Sequence, residues 1–403
     1  MAAETASIVV ELFPASHGDA ALVRCLGPGG TTNILVDGGL QSTYDTFTKT
    51  RLAELSQDGE DLALLVVSHI DDDHIGGALA LIADNGSASA PKLIGIRDVW
   101  HNSYKHLPLS GRPPTPEEVA KVHSQARHGT TSPSGNISAR QGSCLAALLK
   151  RFAYPWNVAF SGGPVVSVEG APCSIALSPS VTVTVLSPLP AHLAALSRLW
   201  RRELLRLGVD HNAVDSPDFE EAFESFLLST LDLTDDSQLE ERISSRMLTD
   251  PLPASAFRED RSVTNASSIA LLITCHDLSV AMLGDALPSV IESQLPAGGT
   301  AAWDAMKVSH HGSIRNTSPS LLSSIVCKNY LISTDALRHG HPDLATMLWI
   351  ATSQTQPIFH FNYDVAVARQ LDEATLKARY GHSVRVARVG ESIRLLLSAS
   401  AAS

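Results

Sequence analysis

Between Ser68 and Gly77 the chain reads Ser-His-Ile-Asp-Asp-Asp-His-Ile-Gly-Gly, which places His69, Asp71, Asp73 and His74 within six positions. Imidazoles and carboxylates crowded in this way are costly to bury unless a cation compensates them, and each is a ligand for a divalent metal. Alternate residues of an extended segment point the same way, so His69 and Asp71 can share one ion. Asp73 and His74, entering a helix, can turn toward a second. An acidic helix start accounts for Asp73 but not for the whole set. The chemistry that two such metals offer is hydrolysis, because bound cations bring the pKa of water toward neutrality and polarise a phosphoryl or carbonyl oxygen.

The elements around this stretch are those that would position it. Runs 7–13, 20–26 and 32–39 are β-branched or alternating and separated by Gly and Pro, so they predict an opening meander. An amphipathic stretch follows at 43–57. The continuous apolar run 62–68 predicts a strand buried on both faces, ending at His69, and 75–84 predicts a helix. Strand, ligand-rich loop, then helix is the geometry in which open α/β sheets place active sites. A second strand-rich block follows, with strands predicted at 164–169, 173–178 and 181–188, a helical region over 190–245, a hairpin from 267–275 and 278–285, and strands at 306–309 and 329–334. Two strand-rich halves, each followed by helices, predict an internally duplicated α/β sandwich of sheets covered by helices.

The chain has 403 residues, 44% hydrophobic and 18% charged, which excludes wholesale disorder. No apolar run approaches the ~18 residues of a spanning helix. The opening MAAETASIVVELF shows no signal-peptide pattern, so the expectation is a cytoplasmic protein without a membrane partner. Thirty Lys and Arg against 42 Asp and Glu give a net charge of −12, which argues against a nucleic-acid coat held by a generally basic surface. The segment 101–151 reads as loop-rich and is locally basic, with Lys105, Arg112, Lys121, Arg127, Arg140, Lys150 and Arg151 against Glu117 and Glu118. From Asp210 to Glu241 there are eleven acidic residues and no Lys or Arg, a helical insertion within about 190–250 that could be a solvated face or dock a protein partner. Five scattered cysteines read as buried small hydrophobes, and neither a P-loop nor a dinucleotide fingerprint is present.

The HxDxDH stretch resembles the HxHxDH signature of the metallo-β-lactamase-fold hydrolases, in the version of the branch related to the ComEC-type competence hydrolase domain. Further matches follow in order: Gly18-Asp19-Ala20, Val36-Asp37-Gly38-Gly39, the Asn265–Ile269 stretch leading to Leu283-Gly284-Asp285, the Lys307–Ser313 stretch KVSHHGS with Asn316 and Ser318, and His341-Pro342. The resemblance spans residues 8 to about 345. It implies one metallo-β-lactamase αββα sandwich over 1–403, carrying the acidic helical insertion, and two divalent metal ions, zinc or manganese. Asp285 would bridge them, Asp37 would support the metal loop, and Asp19 would belong to the early turn. Asp71 in place of a second histidine makes the set harder and favours manganese without excluding zinc. Asn265 stands where a third histidine ligand is usual, and His101 is a candidate to replace it. Spacing does not separate the roles of His310 and His311; we place His311 and His341 at the metals and His310 toward the substrate. Asp73 would orient hydroxide, with His310, Lys307 or Ser313 stabilising charge or protonating a leaving group. The function implied is a phosphodiesterase or nuclease acting on nucleic acid or another phosphodiester. The alternatives are a small-ester or small-phosphodiester hydrolase, and a partner-regulated or non-catalytic component of a multi-protein system such as a defence module.

Overall fold

The computed structural model describes residues 6–108, 133–206, 250–296, 298–338 and 340–399. The β-branched runs form two sheets. The first contains β1 (Ser7–Leu12), β2 (Ala21–Gly27), β3 (Gly30–Val36), β4 (Leu62–Val66), β5 (Val99–Trp100) and the late strand β14 (Ile393–Ser398), in the order β14-β1-β2-β3-β4-β5. The second contains β6 (Cys173–Ser178), β7 (Val181–Ser187), β8 (Ala270–Cys275), β9 (Leu278–Met282), β10 (Ala301–Lys307), β11 (Ile325–Ile332), β12 (Ile358–Phe361) and β13 (Ser383–Val386), in the order β13-β12-β11-β10-β9-β8-β7-β6. Each sheet starts as an antiparallel meander and turns parallel, at β3–β4–β5 in the first and from β9 to β13 in the second. Parallel strands require crossovers, so the long loops that leave β3, β4, β9, β10 and β11 are the natural carriers of chemistry.

Alternation along the strands divides the apolar side chains between a middle core and two outer ones. Val10, Val23, Ile34 and Val66 of the first sheet meet Val183, Ile273, Val280 and Leu331 of the second. On the far side of the first sheet, Leu22, Leu35 and Leu65 pack under Leu52, Ile75, Ile82, Leu145, Leu148 and Trp200 from four helices, Lys49–Gln57, Asp72–Asn85, Pro133–Arg151 and Pro190–Arg206. On the far side of the second, Met306, Tyr330 and Phe359 pack under Met347, Leu348 and Ile350 of the helix Leu344–Ser353. Each such side chain contributes about 1.5–3 kcal/mol by leaving water. The layers therefore run helix, sheet, sheet, helix.

Several expectations need correction. Residues 164–169 do not form a strand; Val165 gives its backbone N–H to Asn102 Oδ1 at 2.8 Å and accepts from Asn102 Nδ2 at 2.8 Å, so a side chain replaces the ladder. The segment 101–151 is not loop-rich throughout, because Pro133–Arg151 is a helix whose Cys144, Leu145, Leu148 and Leu149 face the first-sheet core. The sequence pattern gives no sign of strands β5, β12, β13 and β14. Within the expected insertion Pro190–Arg206 is helical; the acidic run 210–241 lies outside the described residues, as do Arg112, Lys121 and Arg127. Among the described residues no helix is long and apolar enough to cross a membrane.

The ligand loop is seated by close backbone contact. Gly38 N donates to His74 O and Gly77 N to Gly39 O, both at 2.8 Å, and a Cβ on Gly77 would overlap the Gly38 carbonyl. Gly77→Ala is therefore expected to cost ~1–3 kcal/mol of overpacking. Gly29→Ala, with open space around it, should stay within about 0.5 kcal/mol of the parent. Equal urea midpoints for the two variants would contradict the close approach.

Candidate metal centre

The centre is built outward from Asp37, a buried carboxylate at the end of β3. It accepts from Ser68 N at 2.7 Å, from Ser68 Oγ at 2.7 Å and from His74 Nδ1 at 2.9 Å. A carboxylate only accepts, so one His74 proton is on Nδ1, and Nε2 is the nitrogen that a metal would take in exchange for a second proton. The same logic fixes three more rings. Ser68 Oγ has given its proton to Asp37 and can only accept from His69 Nδ1, 3.0 Å away. His311 Nδ1 donates to the Ser333 carbonyl at 2.8 Å. His310 Nδ1 donates to Asn316 Oδ1 at 2.9 Å, while Asn316 Nδ2 donates to the Asp285 carbonyl at 3.1 Å. An imidazole whose Nδ1–H is anchored on a carboxylate or carbonyl presents Nε2 as a metal ligand.

Those Nε2 atoms gather around Asp285 and Asp73 in two groups. On one side His69 Nε2 lies 3.8 Å and His310 Nε2 3.7 Å from Asp285 Oδ2, with His69 Nε2 3.6 Å from Asp71 Oδ2. On the other, His74 Nε2 lies 3.6 Å from Asp285 Oδ1, and His311 Nε2 lies 3.6 Å from Asp73 Oδ2. These separations are too long for hydrogen bonds and suit ligand atoms arranged around a shared ion. The buried His69, His74 and His311 Nε2 atoms and Asp285 Oδ1 have no hydrogen-bond partner, a cost that ligation would relieve. The residues present therefore fit divalent cations. One ligand atom each from Asp19, His74, Asp285 and His311 also lie within 4.8 Å of one another. Asp19, however, is on the anchored side of the rings, 3.3 Å from His311 Nδ1 and 3.8 Å from His74 Nδ1, and it is ion-paired with Lys307; we read it as a support.

Charge in the cluster is strongly coupled. Burial opposes ionisation of Asp285, yet His310, His74, His311 and His69 hold its carboxyl well below the usual range. Burial likewise opposes charge on His311, but Asp19, Asp73 and Asp285 raise it to about 9, and Asp285 and Asp37 raise His74 well above its usual value. Protons on imidazoles thus neutralise the carboxylates when no metal does.

The remaining expected site residues are distributed as follows. Lys307 is buried at 1% exposure, with Nζ toward Asp19 and the Gly284 carbonyl, so it stands beneath the site and not on a substrate face. Ser313 is buried too, and its Oγ accepts from Arg315 N at 3.2 Å, which makes it a turn residue. His341 is set against His310, ring centroids 5.2 Å apart, and its Nδ1 is 3.2 Å from Asp343 Oδ2. His101 is buried with its ring stacked on Trp156, centroids 6.3 Å apart, and burial lowers its pKa to about 4; it is absent from the contacts around Asp285 described above. Asn265 Nδ2 donates to Asp260 Oδ2 at 2.7 Å and lies 3.3 Å from His310 Nδ1. Ser268, within the Asn265–Ile269 stretch, has its Oγ 3.2 Å from His69 Nδ1, whereas Asp260 and Thr264, which donates to Asp71 Oδ2 at 3.1 Å, are not indicated by the sequence. For those two the only signal is proximity in sequence to Asn265.

The His311 shift sets a pH dependence for the metal-free protein. Its folded pKa of about 9 exceeds the ordinary 6.5, so the stability it contributes is complete below 6.5 and is lost as pH rises through about 9. The thermal midpoint of chelator-treated protein should fall across that window. Zinc or manganese should raise it and release protons on binding, measured by calorimetry in buffers of different ionisation enthalpy. Binding without proton release would contradict the assignment.

No curated protein matches the chain. The residues that lead to the first half of the centre, from the turn at Asp19 through Asp37 to His69, Asp71, Asp73 and His74, fall within residues 14–92, which match the family model of the metallo-beta-lactamase superfamily.

Proposed function

We propose that the chain is a metal-dependent phosphodiesterase with nucleic acid as its substrate class, using two divalent ions, zinc or manganese. The observation that carries this reading is the gathering of four anchored imidazoles in two groups, His69, His310 and His74 around Asp285 and His311 against Asp73. Ions bound there supply Lewis acidity toward a phosphoryl oxygen and hydroxide from water near neutral pH. The chain's own residues do the rest. His69, Asp71, Asp285 and His310 form one ligand set; Asp73, His74, Asp285 and His311 form the other. His310 takes the place that Asn265 leaves, while Asn265 fixes Asp260 behind it. Asp73, beside His311, orients water, and Asp37, Ser333 and Asn316 keep the imidazole protons on the side away from the reaction.

Phosphodiester, as against neutral ester, is supported by charge at the rim. Arg261 and Arg315 are exposed, and Asp260 N donates to Arg315 O at 3.1 Å, which joins their two segments next to His310. Neither arginine is in an ion pair among the described residues. Arginines on the two segments that carry Asp260 and follow His310 are of the residue type that suits phosphate oxygens. The order of motifs resembling the ComEC-type branch points the same way.

The test is cleavage of labelled single- and double-stranded DNA and RNA by purified protein with manganese, zinc or magnesium. Chelator should abolish turnover, and Asp73→Ala or Asp285→Ala should lower it roughly 10³-fold or more, as for groups that act as a unit. His310→Ala should bind about one ion fewer per chain by elemental analysis, whereas Asn265→Ala should keep both. Mutants as active as the parent would overturn the reading. Intact metal content with cleavage of none of these substrates would move it to a small ester.

A further inference from the structure

The turn 16–19 between β1 and β2 abuts the metal loop: Asp19 N donates to Asp73 O at 3.0 Å, and a side chain at Gly18 would overlap the Asp73 carbonyl. The loop leaving β11 is fastened to that same turn. Asp335 N donates to Ser16 O at 2.8 Å, Ser333 Oγ donates to Gly18 O at 2.7 Å, and Tyr363 OH accepts from Ser16 N at 2.8 Å. These bonds bring Arg338 against His17, with Nη1 2.8 Å from the ring Nε2. Arginine only donates, so that nitrogen accepts and His17 is neutral with its proton on Nδ1. Burial and Arg338 both favour this neutral form, against the pull of Asp73 and Asp335.

Two features single out this pair. Arg338 stands among carboxylates, close enough for its charge to act on Asp72, yet it forms no ion pair with any described residue; its hydrogen-bond partner is an imidazole. One edge of the guanidinium is therefore fixed while its other N–H groups remain for a ligand. The pair is also only half-buried, next to the turn whose Asp19 N–H meets the Asp73 carbonyl.

We propose that Arg338, oriented by His17, is the residue that recognises an anionic phosphate of the substrate on the Asp73 side of the metal centre. The inference rests on the phosphodiesterase reading and narrows it. The substrate must place a non-bridging, charged oxygen beside the planar fork of Arg338, which a neutral ester cannot do. A guanidinium matches two phosphate oxygens at once, so lysine replaces its charge without its geometry. His17 is a positioning residue, and its loss weakens recognition less than loss of Arg338.

The experiment uses the full, metal-loaded chain and phenylphosphonate, a non-hydrolysable anion, titrated by calorimetry. Arg338→Gln should raise the dissociation constant about tenfold, the scale of one lost charge-assisted contact. Arg338→Lys should recover part of this, His17→Ala should raise it by less, and metal content should be unchanged in all three. Leu337→Ala, on the same loop and 65% exposed, should bind as the parent does. With bis(p-nitrophenyl) phosphate as substrate, Arg338→Gln should raise KM about tenfold and change kcat far less. Binding by Arg338→Gln equal to that of the parent, no binding by the parent, or an equal loss in Leu337→Ala would each overturn the proposal. If Arg338→Gln weakens anion binding while the parent hydrolyses no phosphodiester, the anion site stands and the phosphodiesterase reading falls.

Discussion

A carboxylate only 3% exposed, with four imidazoles turned toward it, sets the terms for this structure. Asp285 cannot ionise in an apolar seam without compensation, because an isolated buried charge costs several kcal/mol. Either protons on His74 and His311 or bound cations must supply that compensation. The same histidines must then serve two states, and in both they need one fixed nitrogen and one adaptable nitrogen. The second layer meets that requirement: Asp37, Ser68, Ser333 and Asn316 each hold an Nδ1 proton, and none of them reaches the Nε2 side. Metal binding is thereby coupled to proton release and to folding.

Adjacent positions rarely turn two bulky rings into one pocket, and here the backbone is bent to do so. His310 and His311 have φ values of 47° and 54°, and Gly312 follows at 87°. For residues with a Cβ such conformations cost on the order of 1–3 kcal/mol each. The surrounding bonds offset this: His310 N donates to Gly284 O at 3.0 Å, Ser309 Oγ to Ala286 O at 2.8 Å, and Asp343 N to Gly312 O at 3.0 Å. Gly312 is required because a side chain there would overlap Pro342. The strained turn is what lets β10 contribute to both ligand groups, where an ordinary strand end would have contributed to one.

The parts of this arrangement that could be seen in the sequence are those written in local periodicity. The runs at 7–13, 20–26, 32–39 and 62–68 alternate or stay apolar, and they become β1 to β4 because side-chain period and strand geometry coincide. The crowding of His69, Asp71, Asp73 and His74 was visible for the same reason, being local. Residues 164–169 show the limit: their β-branched pattern suits a strand, but Asn102, distant in sequence, takes the hydrogen bonds a strand would need. His310 shows it again. Its identity was plain, but its direction depends on two left-handed residues and on Asn316, Asn265 and Asp260, none of which periodicity reports. Asp260 in particular has no spacing signature and matters only because the fold delivers Asn265 and Asn316 to it.

Electrostatics joins the centre to its surroundings. A chain of net charge −12, with Asp71, Asp72, Asp73 and Asp285 gathered in one cleft, repels an anionic substrate before any contact is made. Lys307 cannot correct this, since it is buried and committed to Asp19. On the proposed reading, compensation would come from ions held at Asp285 and from arginines such as Arg338. On the phosphodiesterase reading, substrate affinity and metal occupancy would be linked: removing one cation would expose carboxylate charge to the phosphate as well as remove a Lewis acid. The acidity of the site would then work as a filter, admitting an anion only when the metal centre is loaded.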